Sequence, residues 1–375
     1  MAAKIPATVV TGFLGAGKTT LIRHIIENAG GRRIALVINE FGDLGVDGGL
    51  IKGCGIEGCA DEDVVELSNG CICCTVAEDF LPAIEGLLAR DPAPDHIVIE
   101  TSGLALPQPL VRAFNWPDIR TRVTVDGVVT VVDGPALAEG RFAADEAAVD
   151  RQRAADEGLD HETPLSELFA DQLACADMVL VNKSDLLADA SSVVKGVEQK
   201  TRDGVQVVAT EKGAVPIEVL LGRGMGAEDD MDARSEVHHH HHDHDHDDHH
   251  HDHGHHHSHD HDHHHHHHHH HDDHGHDAFT SFVVDLPEVS DVNALTDRVS
   301  ATIAAHNLLR VKGFAAVEGK PMRLVLQAVG PRIDTHFDRP FQAGEARTTR
   351  LVVIGQAPLD QAAITDALAT LTEPA

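Results

Sequence analysis

The stretch Gly12-Phe13-Leu14-Gly15-Ala16-Gly17-Lys18-Thr19, directly after the apolar run Ile5-Pro6-Ala7-Thr8-Val9-Val10, matches G-x-x-x-x-G-K-[ST] in full. Glycines at these positions let backbone N–H groups turn inward around a polyphosphate. Lys18 can then reach the β- and γ-phosphates, and Thr19 can offer its hydroxyl to Mg²⁺ at a helix N-terminus. The pattern predicts a strand, a phosphate loop and a helix in that order. Gly12, Gly15, Ala16, Gly17, Lys18, Thr19 and Thr20 then surround a nucleotide, and Lys18 also assists catalysis.

Further aliphatic runs at 33–39, 97–99, 128–132, 178–181 and 205–208 read as buried strands, mostly separated by helix-length segments. This predicts an α/β fold, a P-loop NTPase domain with a mostly parallel sheet covered on both faces. Such sheets bind ligands at the carboxyl ends of their strands. The chemically loaded residues fall there: the phosphate loop after the first run, Glu40 and Asp43 after the second, Glu100 after the third.

In Glu100-Thr101-Ser102-Gly103 an acid and a glycine stand where nucleotide hydrolases keep groups that sense Mg²⁺ and the γ-phosphate. Glu100 is assigned a catalytic place near metal and water; capping of the next helix is the alternative. Asn182-Lys183-Ser184-Asp185 is an N-K-x-D group after a strand. Its Asp185 can accept both guanine N–H donors, while Asn182 and Lys183 brace the loop and cover the base. Adenine would leave that acid unpaired, so GTP is expected over ATP. Ala209-Thr210-Glu211-Lys212-Gly213 is placed beside the base.

Gly70-Cys71-Ile72-Cys73-Cys74 precedes a helical run. Neither strand nor helix points three such cysteines one way, but a turn can converge Cys71, Cys73 and Cys74 on one ion. Thiolates at a helix N-terminus suit Zn²⁺ or Co²⁺ in tetrahedral coordination, with Glu40 or a water completing the set. Buried free thiols or a redox pair are the alternatives. Cys54 and Cys59 could be a second thiol pair, and Cys175 is assigned to the core.

At 375 residues with 42% hydrophobic content, two domains are expected. A formal net charge of −32 argues against a nucleic-acid partner. The chain runs from Met1-Ala2-Ala3-Lys4 straight into the first strand and carries no apolar run long enough for a bilayer. A cytoplasmic protein without a membrane partner is the expectation. The predicted divisions are a GTPase domain with its metal site at 1–224, a disordered linker at 225–277 and a small α+β domain at 278–375. From 238 to 276 the linker is almost wholly His and Asp, holding every one of the 32 histidines except His24, His96, His161, His306 and His336. Such a tract cannot bury a core. It reads as a loose collector of divalent ions, with a solvated spacer or an inserted tag as alternatives.

Together these groups resemble the CobW-type metallochaperone GTPases over nearly the whole chain. The resemblance rests on 12–19, Asn39-Glu40-Phe41-Gly42-Asp43, Cys71-x-Cys73-Cys74, Glu100-Thr101-Ser102-Gly103, Asn182 to Asp185, the His-rich linker and the carboxyl-terminal domain. Lys52-Gly53-Cys54-Gly55-Ile56-Glu57-Gly58-Cys59 and Leu309-Arg310-Val311-Lys312-Gly313-Phe314 look closest to the members serving cobalamin biosynthesis. That implies Co²⁺ supply to a metal-receiving enzyme, a cobalt chelatase inserting cobalt into the corrin ring. Asp43 departs from the Glu of many relatives, which leaves its contact with metal open.

The expected mechanism has GTP and Mg²⁺ order the segment after the second strand, bringing Glu40 toward the three cysteines, and hydrolysis loosen the site. No glutamine or arginine finger is evident, so slow intrinsic turnover is expected. Competing readings are a Zn²⁺ cargo, a non-enzymatic buffer built on the His tract and, disfavoured by Asn182 to Asp185, a small-molecule kinase.

Overall fold

The computed structural model describes residues 4–39, 64–67, 80–155, 164–234, 278–330, 332–342 and 344–369. Its first domain is built on β1 (Ile5–Thr11), β2 (Ile34–Asn39), β3 (Val64–Leu67), β4 (His96–Glu100), β5 (Val123–Asp133), β6 (Met178–Asn182) and β7 (Gln206–Ala209). They pair in parallel in the order β3-β2-β4-β1-β5-β6-β7. Strands β4 and β6 are buried at every position, as expected of a sheet covered on both faces. Along β1 the side chains divide between the faces: Ala7 and Val9 pack toward α2 (Leu81–Leu88) and α3 (Pro107–Ala113), Val10 toward α1 (Lys18–Glu27).

Helix α1 starts at the lysine of the phosphate loop, after Gly17 at φ 108°, a left-handed value that favours glycine. Its Leu21, Ile22, Ile25 and Ile26 share one face and are buried, each contributing about 1.5–3 kcal/mol. Next come α4 (Gly134–Ala138), α5 (Glu146–Ala155), α6 (Leu165–Cys175), α7 (Ala190–Glu198) and the short α8 (Ile217–Leu220). Cys175 closes α6 fully buried, where desolvation pushes its thiol up to about 12. That agrees with its assignment to the core.

The second domain is a sheet in the order β11-β10-β9-β12-β8, with every pairing antiparallel. The strands are β8 (Phe279–Leu286), β9 (Leu308–Ala315), β10 (Met322–Val329), β11 (Arg332–Pro340) and β12 (Thr349–Gln356). Helices α9 (Val292–His306) and α10 (Gln361–Ala369) cover one face through Leu295, Val299, Ile364 and Leu368. Part of the other face joins the first domain, because Leu309 and Ile354 share a core cluster with Leu21, Ile25 and Val219. Arg310 binds this seam by donating to the carbonyls of Leu221 at 2.8 Å and Gly222 at 2.7 Å, and to that of Glu218.

Three features depart from the sequence expectations. The strands β3 and β11 were not foreseen, so Glu100 ends the fourth strand and not the third. Residues 225–234, placed in the linker, pack instead on the first sheet. There Glu228 accepts from Thr124 Oγ1 at 2.6 Å and the Val125 amide at 2.8 Å, while fully buried Arg234 donates to Asp177 Oδ1 at 2.7 Å. Buried charges held by specific partners carry no apolar periodicity, so composition gives no sign of them.

Candidate functional site

The phosphate loop runs from β1 into α1 pressed against its neighbours. Gly12 has φ 135°, and a Cβ there would lie 2.0 Å from the Val131 carbonyl oxygen on β5. Phe13 turns inward, stacked on Phe142 with ring centroids 6.0 Å apart and tilted against Phe169 at 6.2 Å. Leu14 and Gly15 form the exposed crest, and Thr20 is exposed on the first turn of α1. Lys18 is buried, its ammonium donating to the carbonyls of Gly12 at 2.8 Å and Phe13 at 3.3 Å. The positive charge therefore sits inside the loop.

Thr19 donates from Oγ1 to Glu100 Oε1 at 3.5 Å, which brings the expected acid to the expected hydroxyl. Glu100 is 5% exposed at the end of β4. The following loop is held from both sides. Thr101 donates its amide to Val10 at 2.9 Å, and the Gln172 amide donates to the Gly103 carbonyl at 3.1 Å. A Cβ on Gly103 would lie 2.8 Å from the Leu14 nitrogen, so only glycine allows this loop to meet the phosphate loop so closely.

Buried Asn182 ends β6 and joins two loops. Its Nδ2 donates to the Ala16 carbonyl at 2.9 Å, and its Oδ1 accepts the Gly213 amide at 3.0 Å. Asp185 lies exposed on the turn Ser184–Leu186, which the Thr210 carbonyl holds through the Ser184 amide at 3.1 Å. The structure thus gathers Gly12, Gly15, Ala16, Gly17, Lys18, Thr19, Glu100, Asn182, Lys183 and Asp185 at the carboxyl ends of β1, β4 and β6. The Ala209 to Gly213 loop stands beside them.

Sequence reasoning missed Asp133, Phe142, Phe169 and Gln172. Asp133 accepts the Lys183 ammonium at 2.5 Å, and its one legible sign is an acid at the end of an apolar strand before Gly134-Pro135. Phe169 and Gln172 lie on α6 and Phe142 in the connection before α5, with nothing to mark them as supports of distant loops.

The proposed metal ligands Glu40, Cys71, Cys73 and Cys74 lie outside the described residues, as do Asp43, Cys54, Cys59 and the 238–276 tract. The strands leading to them are described. β2 and β3 are parallel neighbours with Asn39 opposite Leu67, so the two strands finish side by side at one sheet end. On its other side β2 pairs Ile38 with Glu100.

Two family models match the chain: the nucleotide-binding domain of CobW/HypB/UreG over residues 6–209, and the carboxyl-terminal domain of the cobalamin synthesis protein cobW over 279–372. A Sinorhizobium protein named zinc chaperone CobW is 53% identical over 371 residues, covering 98% of this chain and 97% of its own. A Pseudomonas aeruginosa protein of the same name is 52% identical over 98% of this chain and 92% of its own. The chain belongs to the CobW family. A fission-yeast protein, zinc-regulated GTPase metalloprotein activator 1, is 37% identical over 56% of this chain and 46% of its own. As a CobW-family member the protein is a P-loop GTPase. Among the described residues no helix is long and apolar enough to cross a membrane.

Proposed function

We propose that this CobW-family GTPase is a metallochaperone that binds Zn²⁺ at Cys71, Cys73 and Cys74 with Glu40 and passes it to a metal-receiving enzyme. The observation that carries the reading is the name zinc chaperone, borne by both near-full-length relatives at 53% and 52% identity. It replaces the Co²⁺ expectation, which rested on two short segments, and with it the cobalt chelatase as the expected recipient. Thiolate donors agree with the change, since Zn²⁺ outranks Co²⁺ in the usual affinity order.

The sheet supports a link between nucleotide and cargo. Thr19 and Glu100, a hydroxyl and a carboxylate, are the oxygen donors that would hold Mg²⁺, a hard ion that would neutralise phosphate charge there. Glu100 pairs with Ile38 on β2, two residues before Glu40. Cys71 follows Leu67, the partner of Asn39, by four residues. At most about 14 Å of extended chain then separates the β3 end from the first cysteine. A γ-phosphate that orders the β2 exit would pull Glu40 toward the thiolates and tighten the metal site. By linkage, Zn²⁺ must tighten GTP binding by the same factor.

The test is a competition titration of Zn²⁺ and Co²⁺, with and without Mg²⁺ and a non-hydrolysable GTP analogue, on the wild type and a Cys73→Ala, Cys74→Ala variant. Zn²⁺ tightening by the analogue that vanishes in the variant supports the reading. Equal affinities in both nucleotide states end it. Tightening confined to Co²⁺ would restore the cobalt cargo.

A further inference from the structure

We propose that Asp133 is a positioning residue for guanine binding and that it acts through Lys183; the inference rests on assigning Asn182 to Asp185 to the base. Asp133 ends β5 directly opposite Asn182 on β6, with its side chain 1% exposed. Its two oxygens have different partners. Oδ1 accepts the Ala136 amide at 3.1 Å and caps α4, whereas Oδ2 accepts the Lys183 ammonium at 2.5 Å. The turn after Asp133 is pressed onto the base-reading strand, since a Cβ on Gly134 would lie 2.8 Å from the Asn182 carbonyl oxygen.

Lys183 is fixed at both ends. Its backbone is left-handed at φ 59°, uncommon for a residue with a Cβ, and this turns the chain into the Ser184–Leu186 segment that carries Asp185. Its ammonium is tied to Asp133. A free lysine laid over a purine would lose its rotamer freedom on binding, but here that loss has been taken during folding. Asp133 thus prepares the lysine stem as a ready surface beside Asp185. A carboxylate needed only to cap α4 would not require the ammonium, and a solvated lysine would not need a buried acid.

The experiment is a double-mutant cycle on the full-length protein with Asp133→Asn, Lys183→Met and their combination, reading GDP and IDP affinity by calorimetry. Asparagine keeps an oxygen for the Ala136 amide and removes the charge; methionine keeps most of the stem and removes the ammonium. The expected result is about a tenfold loss of GDP affinity in Asp133→Asn, an equal loss for IDP, and no further loss when it is added to Lys183→Met. Independent, multiplying effects would make Asp133 a helix cap alone and overturn the proposal, as would unchanged affinity in Asp133→Asn. Asp185→Ala, run alongside, should lower GDP affinity more than IDP affinity, because IDP lacks the exocyclic amine. If it does not, the base-site assignment itself fails, whatever the cycle shows.

Discussion

Asn182 donates its side-chain amide to the Ala16 carbonyl at 2.9 Å, so the end of β6 holds the phosphate loop directly. The same side chain accepts the Gly213 amide at 3.0 Å. Replacing Asn182 with Ala leaves two buried backbone groups without partners, at about 1–3 kcal/mol each. GDP affinity should fall at least tenfold and Tm should drop in calorimetry. Gly17→Ala attacks the same contact from the other side, since its Cβ would lie 2.2 Å from Asn182 Nδ2 at a left-handed φ of 108°. That variant should bind no GDP, and normal binding would disprove the account of the loop.

The seam between the domains depends on Arg310. It is 5% exposed, its donors meet three carbonyls of the first domain, and burial lowers its pKa. Arg310→Ala should cost about 2–4 kcal/mol in urea unfolding, because charge-assisted bonds are lost and buried carbonyls are stranded. Arg310→Lys keeps the charge without the fork and should recover only part of it. A loss below about 0.5 kcal/mol for the alanine variant would show that apolar packing alone holds the seam.

Acid should weaken the fold through His96. The ring is buried and accepts or donates at 2.8 Å to Thr8 Oγ1; burial takes its pKa down to about 4, with Asp126 opposing and Arg32 assisting. Above pH 6.5 the ring is neutral in both folded and unfolded chains and costs nothing. As pH falls from 6.5 to 4 the unfolded chain binds the proton first, so stability declines by on the order of 3 kcal/mol. His96→Gln should flatten that part of a stability-against-pH curve. An unchanged slope would place the acid sensitivity elsewhere.

Thiol chemistry offers a further check. The Cys175 thiol, pushed up to about 12 by burial, should resist iodoacetamide in the native protein at pH 8 and react after unfolding in urea. Peptide mass spectrometry reads this site by site. If Zn²⁺ sits on Cys71, Cys73 and Cys74, prior loading should protect those three. Native labelling of Cys175 would contradict its place in the core.

The phosphate loop and the first sheet were legible because their signals are local: glycines where φ is positive, a lysine and threonine opening a helix, and aliphatic runs of strand length. Asn182 to Asp185 was equally plain. β3 escaped notice because Val64–Leu67 is only four residues long, and β11 because Arg332–Pro340 is an edge strand whose charges conceal its pairing. The 225–234 segment was misread because its burial depends on Glu228 and Arg234 meeting partners about 100 and 60 residues away. The Asp133 contact is hidden for the same reason: an ion pair between strand ends 50 residues apart leaves no spacing to read.

Helix α1 belongs to both domains, since its Leu21 and Ile25 lie in one cluster with Leu309 and Ile354. About 15 Å long, it carries Lys18 of the phosphate loop at one end and the seam along its side. Recombination between relatives would therefore not exchange the carboxyl-terminal half as an independent cassette. A transplanted half must bring side chains matching the ridge of α1, and a lineage that redraws that ridge must redraw both halves together.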